Sequence, residues 1–310
     1  MKISSYSLTQ LKQKLKSDGV CLRTGNYLCR ITTSLPLVAE GIATLYADYP
    51  VQPESDFADF HICLKHPNNI RRWIKPQVIF TLDRVTPFKP LAYDQAFPML
   101  EWGLNWCIST RINNQLIIHA AVVEKNGYAL IMPGEPGSGK STLCAALVSR
   151  GWRLLSDELT MVSLQDGKVN PLPRPVSLKN ESIDVIRSFH SDAIMGRISH
   201  DTAKGTVAHM RIPTEHVERS NETAIPAWVV FPKYIAGSPL SLIPLTKGNA
   251  TIRLVENSFN YSILSEKGFV AITDLVDKAD CFDFSYSVLD EAIAQFDTLV
   301  VLKAEERANG

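Results

Sequence analysis

Residues 7–19, SLTQLKQKLKSDG, space their apolar positions as a helix does and stop at a glycine. The segments YLCRITTS, ADFHICLKH and QVIFTLDRV then alternate or run apolar in the manner of strands. Together they predict a small sheet-rich α+β module over residues 1–92, closing near the PFKP turn at Pro87 to Pro90. A helix is expected over residues 95–110, where Trp102 and Trp106 lie four apart, on one side, and read as packing residues. From Leu116 the pattern LIIHAAVVEKNGYALIMPG predicts two strands joined by the tight turn Lys125-Asn126-Gly127, because Asn-Gly between apolar runs favours a hairpin. The second strand runs into PGEPGSGKSTL. A helix follows from Lys140 to Arg150, Gly151 ends it, and WRLLSDEL opens another strand.

Beyond Asn170 prolines punctuate the chain, a loop or lid is expected from His190 to Gly205, and TVAHMRI and AWVVFPKY read as strands. An amphipathic stretch and a closing helix around DEAIAQFDTL complete a second domain, residues 93–310. The fold class expected is α/β, α+β overall, with a mixed central sheet in the second domain and the sheet-rich module before it.

Composition narrows the function classes. The chain has 310 residues, 45% hydrophobic and 21% charged, which suits one or two domains with sizeable cores. Lys plus Arg and Asp plus Glu are equal at 32 each, so no global positive field draws nucleic acid as the main partner. No run approaches bilayer length and the start lacks an apolar signal region, so a cytoplasmic protein without a membrane partner is expected. The six cysteines are scattered and read as small buried side chains.

The chemistry concentrates in the glycine-rich loop. Gly134, Glu135, Pro136, Gly137, Ser138, Gly139, Lys140 and Ser141 fit G-x-x-x-x-G-K-[ST], with Thr142 following. Such glycines let backbone N–H groups face phosphate oxygens, Lys140 would neutralise the β and γ phosphates, and Ser141 would offer its hydroxyl to Mg²⁺. LLSDEL supplies two acids, Asp157 and Glu158, at a strand end, where a metal-bound triphosphate needs a carboxylate. No Asn-Lys-x-Asp guanine signature is present, which favours ATP. His119 lies on the strand paired with the one entering the loop and is a candidate for the same site.

The stretch IHAAVVEKNGYALIMPGEPGSGKSTLCAALVSRGWRLLSDEL resembles the core of the HPr kinase/phosphorylase group, whose relatives include phosphoenolpyruvate carboxykinases. More narrowly, PRPVSLKNESI, KGTVAHM and VENSFNY look like the HPr kinase-related kinase A group. The resemblance implies an ATP- and Mg²⁺-dependent kinase acting on a hydroxyl, serine above all, of a peptide, small carrier protein or small molecule, and a homo-oligomer. It matches Asp157 to the base, Glu158 with Ser141 to the metal, and His119 to the histidine beside the acceptor. A glutamate stands where the group has a second aspartate, so the division of roles between Asp157 and Glu158 stays open. The Glu-Arg-Gly-Leu-Gly signature associated with phosphorolysis is missing, which argues against that reaction and against HPr as acceptor.

Transition-state charge requires cations. Lys179 and Arg174 are the preferred pair, with Lys204, Arg211 and Arg253 as further candidates; His209 and Asn257 enter through the resemblance alone. Two other readings compete: a pyrophosphate-using phosphotransferase, and an ATP-binding sensor or scaffold without transfer.

Overall fold

A computed structural model of the chain describes residues 1–52, 57–135 and 137–309. It is a mixed α/β structure that divides into two compact units. The first comprises Met1–Arg111, Pro173–Asp184 and Asp192–Ser220; the second comprises Ile112–Leu172, Val185–Ser191 and Asn221–Gly310.

In the first unit a six-stranded sheet runs in the order Val51–Gln52, Val20–Thr24, Tyr27–Thr33, Phe60–Lys65, Gln77–Leu82, Leu91–Ala92. The period of two sorts its residues: Phe60, Ile62 and Leu64 are buried, while His61, Cys63 and Lys65 point to the other face. Three helices, Leu8–Lys16, Pro36–Leu45 and Ala96–Arg111, supply the buried side. Ser7 caps the first by a reciprocal bond pattern with Gln10. Gly103 is required where the third meets the sheet, since a Cβ there would stand 2.1 Å from the Phe80 ring.

That approach explains why the expected boundary at residue 92 is displaced. The helix Ala96–Arg111 packs on the first sheet, so the first unit runs on to Arg111. Residues 173–184 and 192–220 also return to it, carrying the three-stranded sheet Val176–Lys179, Gly205–Met210, Ser199–Thr202. The loop expected from His190 to Gly205 therefore contains a strand.

The second unit is built on a six-stranded mixed sheet in the order Arg153–Ser156, Ala120–Lys125, Tyr128–Pro133, Ile225–Tyr234, Asp280–Tyr286, Ser241–Pro244. Tyr128–Pro133, Ile225–Tyr234 and Asp280–Tyr286 are mutually parallel neighbours, and the other pairings are antiparallel. The predicted Asn-Gly turn is present, with φ of 56° at Asn126 and 86° at Gly127. Apolar side chains including Ile131, Val122, Leu155, Val229 and Ile272 form the core around this sheet. The closing helix is Leu289–Asn309. All six cysteines are free thiols, five of them buried. No helix among the described residues is long and apolar enough to cross a membrane.

Candidate functional site

Residues 134–139 connect the strand Tyr128–Pro133 to the helix Lys140–Ser149 at the carboxyl ends of the parallel strands, where open α/β sheets place their ligands. Gly137 and Gly139 take φ of 89° and 88°, left-handed values that side chains resist, and Gly139 caps the helix. The loop is tied to the sheet from two sides. The Tyr234 N–H donates to the Ser138 carbonyl at 3.0 Å, and the Tyr286 hydroxyl donates to the Gly139 carbonyl at 3.2 Å. Pro136 lies outside the described residues.

Within the loop Lys140 is buried and its ammonium donates to the Gly134 carbonyl at 3.2 Å. Ser138 Oγ is buried without a hydrogen-bond partner among the described residues, an orphan donor inside the loop itself. Glu135 and Gly137 are exposed, and Ser141 and Thr142 are half-buried at the start of the helix. A Cβ on Gly139 would meet Tyr286 Oη at 2.7 Å. Gly139→Ala is therefore expected to weaken nucleotide binding by about tenfold or more, because the strained φ and this contact both displace the loop N–H groups. Tyr286→Phe in that background removes the contact but leaves the φ, so titration calorimetry should find only partial recovery.

The strand registers bring the acids and His119 to the loop's entrance. Ser156 pairs with Val122 and Thr160 with Ile118, so the bend at 157–159 spans residues 119–121 of the adjacent strands. Pro133, the last residue before the loop, pairs with Ala120. Ser156 Oγ accepts from the Leu159 N–H at 3.1 Å and Thr160 Oγ1 donates to the Ala120 carbonyl at 3.1 Å, fixing the bend at both ends. Asp157 is 6% exposed and Glu158 half-buried.

Electrostatics connect the acid bend with the loop. Burial pushes the Cys144 thiol, early in the loop helix, well above the usual thiol range; the negative charge of Asp157 adds to the push and Lys140 opposes it. One buried sulfur thus feels both charges.

His119 is half-buried beside this bend. Its N–H donates to the Asn257 carbonyl at 2.7 Å and its ring lies 5.6 Å from Phe259, tilted by 50°. Asn257 consequently acts through its main chain, while its amide donates to the Arg253 carbonyl at 2.8 Å. Asn260, which sequence reasoning did not single out, is fully buried and clamps this segment: it accepts from Ile117 N–H at 2.9 Å and donates to the Gln115 carbonyl at 2.8 Å. Arg253 pairs with Asp283 at 2.5 Å and lies 3.7 Å from the Phe231 ring centroid. Lys233, also not anticipated, is exposed near the carboxyl end of Ile225–Tyr234 and makes no ion pair with a described residue.

The remaining candidates belong to the first unit. Arg174 is used there: its buried guanidinium pairs with the buried carboxylate of Glu101 at 3.4 Å and bonds Asn105. Glu101 also accepts from the Tyr46 hydroxyl at 2.7 Å. A buried carboxylate requires such a counter-charge, and the expectation that Arg174 serves a transferred phosphoryl group is set aside for that reason. Lys179 ends the strand Val176–Lys179 and its N–H donates to Ser182 Oγ at 2.7 Å. Arg211 pairs with Asp48 at 2.5 Å, the Lys204 ammonium lies 5.5 Å from the Trp102 ring, and buried His209 meets Phe97 edge-on at 5.4 Å.

The loop chemistry fits a nucleotide phosphate chain with Mg²⁺. Left-handed glycines, an orphan hydroxyl and a buried ammonium suit phosphate oxygens. Among the described residues no group of three or more His, Cys, Asp or Glu could cage a metal. Mg²⁺ is commonly held by one or two carboxylates together with substrate phosphates, and Ser141 with Glu158 or Asp157 offers hard oxygens of that kind.

No protein-family model matches the chain, and no curated protein matches it. Among solved structures, the Hpr(Ser) kinase/phosphatase from Coxiella burnetii is similar over 63% of this chain and 99% of that chain, at 13% identity and a TM-score of 0.30.

Proposed function

We propose that the chain is a phosphotransferase of the HPr kinase-like class, moving the terminal phosphoryl group of ATP to a hydroxyl, serine above all, of a peptide, small carrier protein or small molecule. The observation that carries this reading is the acid bend: the registers set residues 157–159 beside 119–121, and Pro133 at the loop's entrance pairs with Ala120. A site that only held nucleotide would need a carboxylate for its metal but no proton acceptor beside it, and this bend carries two acids, Asp157 and Glu158. The sequence resemblance across residues 118–159 supports the same class.

In this reading the loop N–H groups and Lys140 hold and neutralise the phosphates, and Ser141 with Glu158 would hold Mg²⁺. Bound there, the metal would screen charge on the terminal phosphates. Asp157 takes the proton of the acceptor hydroxyl, and His119 orients that hydroxyl beside it. Lys233 is an exposed cation next to Tyr234, whose N–H bonds the loop's Ser138 carbonyl.

Incubation of the purified chain with γ-labelled ATP, Mg²⁺ and host lysate, followed by mass spectrometry of phosphorylated hydroxyls, tests the proposal. Label on an acceptor, lost in Asp157→Asn, is the expected result. Tight ATP binding with no label transferred would instead establish a nucleotide sensor.

A further inference from the structure

A nucleotide held by the glycine loop has a direction. On the phosphotransferase reading its terminal phosphate faces Asp157, Glu158 and His119, which border the strands Arg153–Ser156 and Ala120–Lys125. The sheet order sets those two strands on one flank of Tyr128–Pro133 and sets Ile225–Tyr234 and Asp280–Tyr286 on the other. The far end of the nucleotide, its ribose and nucleobase, therefore leaves the loop over the second flank.

That flank ends in aromatic side chains. Tyr234 and Tyr286 are the last residues of their strands and are partners in the parallel register, so their side chains share one face of the sheet. Their rings lie 5.8 Å apart, close to edge-on at 68°. The shared face is the one that meets the loop: the Tyr286 hydroxyl donates to the Gly139 carbonyl at 3.2 Å, and a Cβ on Gly139 would stand 3.0 Å from the Tyr234 Cβ.

The two tyrosines differ in what remains open. Tyr286 is 1% exposed and stacks on Phe284 at 5.4 Å, so its ring is spent on packing. Tyr234 is 52% exposed. Ile235, which follows it, and Val288, two residues beyond Tyr286, are exposed as well. Residues 232–240 and 284–289 contain no acid and one cation, Lys233, so nothing in these segments repels a phosphate chain that leads to a flat, neutral ring.

The platform is also held in place. Tyr234 N–H donates to the Ser138 carbonyl at 3.0 Å, Ile235 N–H to the Tyr286 carbonyl at 3.0 Å, and Ser287 Oγ to the Ser238 carbonyl at 2.7 Å, which ties down the turn after the strand. A ring fixed beforehand loses little freedom when a ligand settles on it.

We infer that the exposed ring of Tyr234 is the stacking platform for the nucleobase of the nucleotide that the loop holds. The inference rests on the nucleotide reading of the loop and names the side chain that tells a nucleotide from an inorganic polyphosphate. Every base has a π-face, so stacking alone does not separate adenine from guanine.

Titration calorimetry of the full chain with ADP and with inorganic pyrophosphate, each with Mg²⁺, provides the test, because the two ligands carry equal numbers of phosphates and only one has a base. Tyr234→Ala and Tyr234→Leu should each weaken ADP by about tenfold and leave pyrophosphate within about twofold, while Tyr234→Phe should hold ADP within about twofold of wild type. All three variants keep the main-chain bond to Ser138, and Leu keeps an apolar side chain without a π-face. Unchanged ADP affinity in Tyr234→Ala overturns the inference, as does equal weakening of both ligands, which would mean that the ring only shapes the loop. Equal affinity of the wild type for ADP and pyrophosphate overturns it too and leaves a phosphotransferase with an inorganic donor. Binding of neither ligand by the wild type overturns the nucleotide reading itself and the inference with it.

Discussion

Asp157→Asn is expected to lower phosphoryl transfer by about 10²- to 10⁴-fold, the usual contribution of a positioned acid or base, while nucleotide affinity stays within about threefold. The substitution keeps the shape of a side chain that is 6% exposed, so the bend between Ser156 and Thr160 has no steric reason to move. Asparagine lacks the negative charge that would take a hydroxyl proton. Lys140→Ala should give the opposite split: the buried ammonium on the Gly134 carbonyl is lost, and nucleotide binding with it. Single-turnover transfer and equilibrium binding of ATP, measured on both variants, separate the two roles. Full transfer activity in Asp157→Asn would remove it as the base and leave Glu158 as the acid to test.

How far this site could be read in the sequence depends on how local its parts are. The loop is one contiguous run, and of the two glycines that the pattern demands, 134 and 139, the second has a left-handed φ, as does Gly137 at a position the pattern leaves open. The Asn126-Gly127 turn was likewise legible, because two residues alone dictate it. With that hairpin known, His119 and the loop entrance become neighbours by register. The loop's ties from Tyr234 and Tyr286 were hidden, since they come from strands about a hundred and a hundred and fifty residues further on. Asp280–Tyr286, a central strand, carries the mixed sequence DCFDFSY and gave no period to recognise.

Arg174 marks the limit more sharply. PRPV announces a cation after the acidic strand, and nothing nearby reveals that its partner is Glu101, 73 residues upstream on a helix. The unit boundary failed for the same reason. Membership of residues 173–184 and 192–220 in the first unit is a matter of long-range packing, which hydrophobic period does not record. Val20–Thr24 and Pro36–Leu45 also passed unrecognised, the second despite a proline suited to a helix's first turn.

The other large effect is expected at the opposite end of the acidic strand. Arg153 and Glu124 are register partners, 4% and 3% exposed, joined as a buried ion pair. Glu124 also accepts from the Gly127 N–H at 2.5 Å, and Arg153 donates to the Glu222 carbonyl at 3.0 Å. The pair thus joins the Asn-Gly hairpin, the strand leading to Asp157 and the segment entering Ile225–Tyr234. Arg153→Ala leaves a carboxylate buried without its counter-charge, which costs about 3–5 kcal/mol. Amide exchange in the strand Ala120–Lys125, if governed by opening of this sheet, should accelerate by about two to three and a half orders of magnitude, at about 1.4 kcal/mol per factor of ten. Replacing both partners, Glu124→Leu with Arg153→Met, removes two buried charges together and should cost less than Arg153→Ala alone. The reverse order would mean that the hydrogen bonds to Gly127 and Glu222, and not charge balance, hold this corner of the sheet.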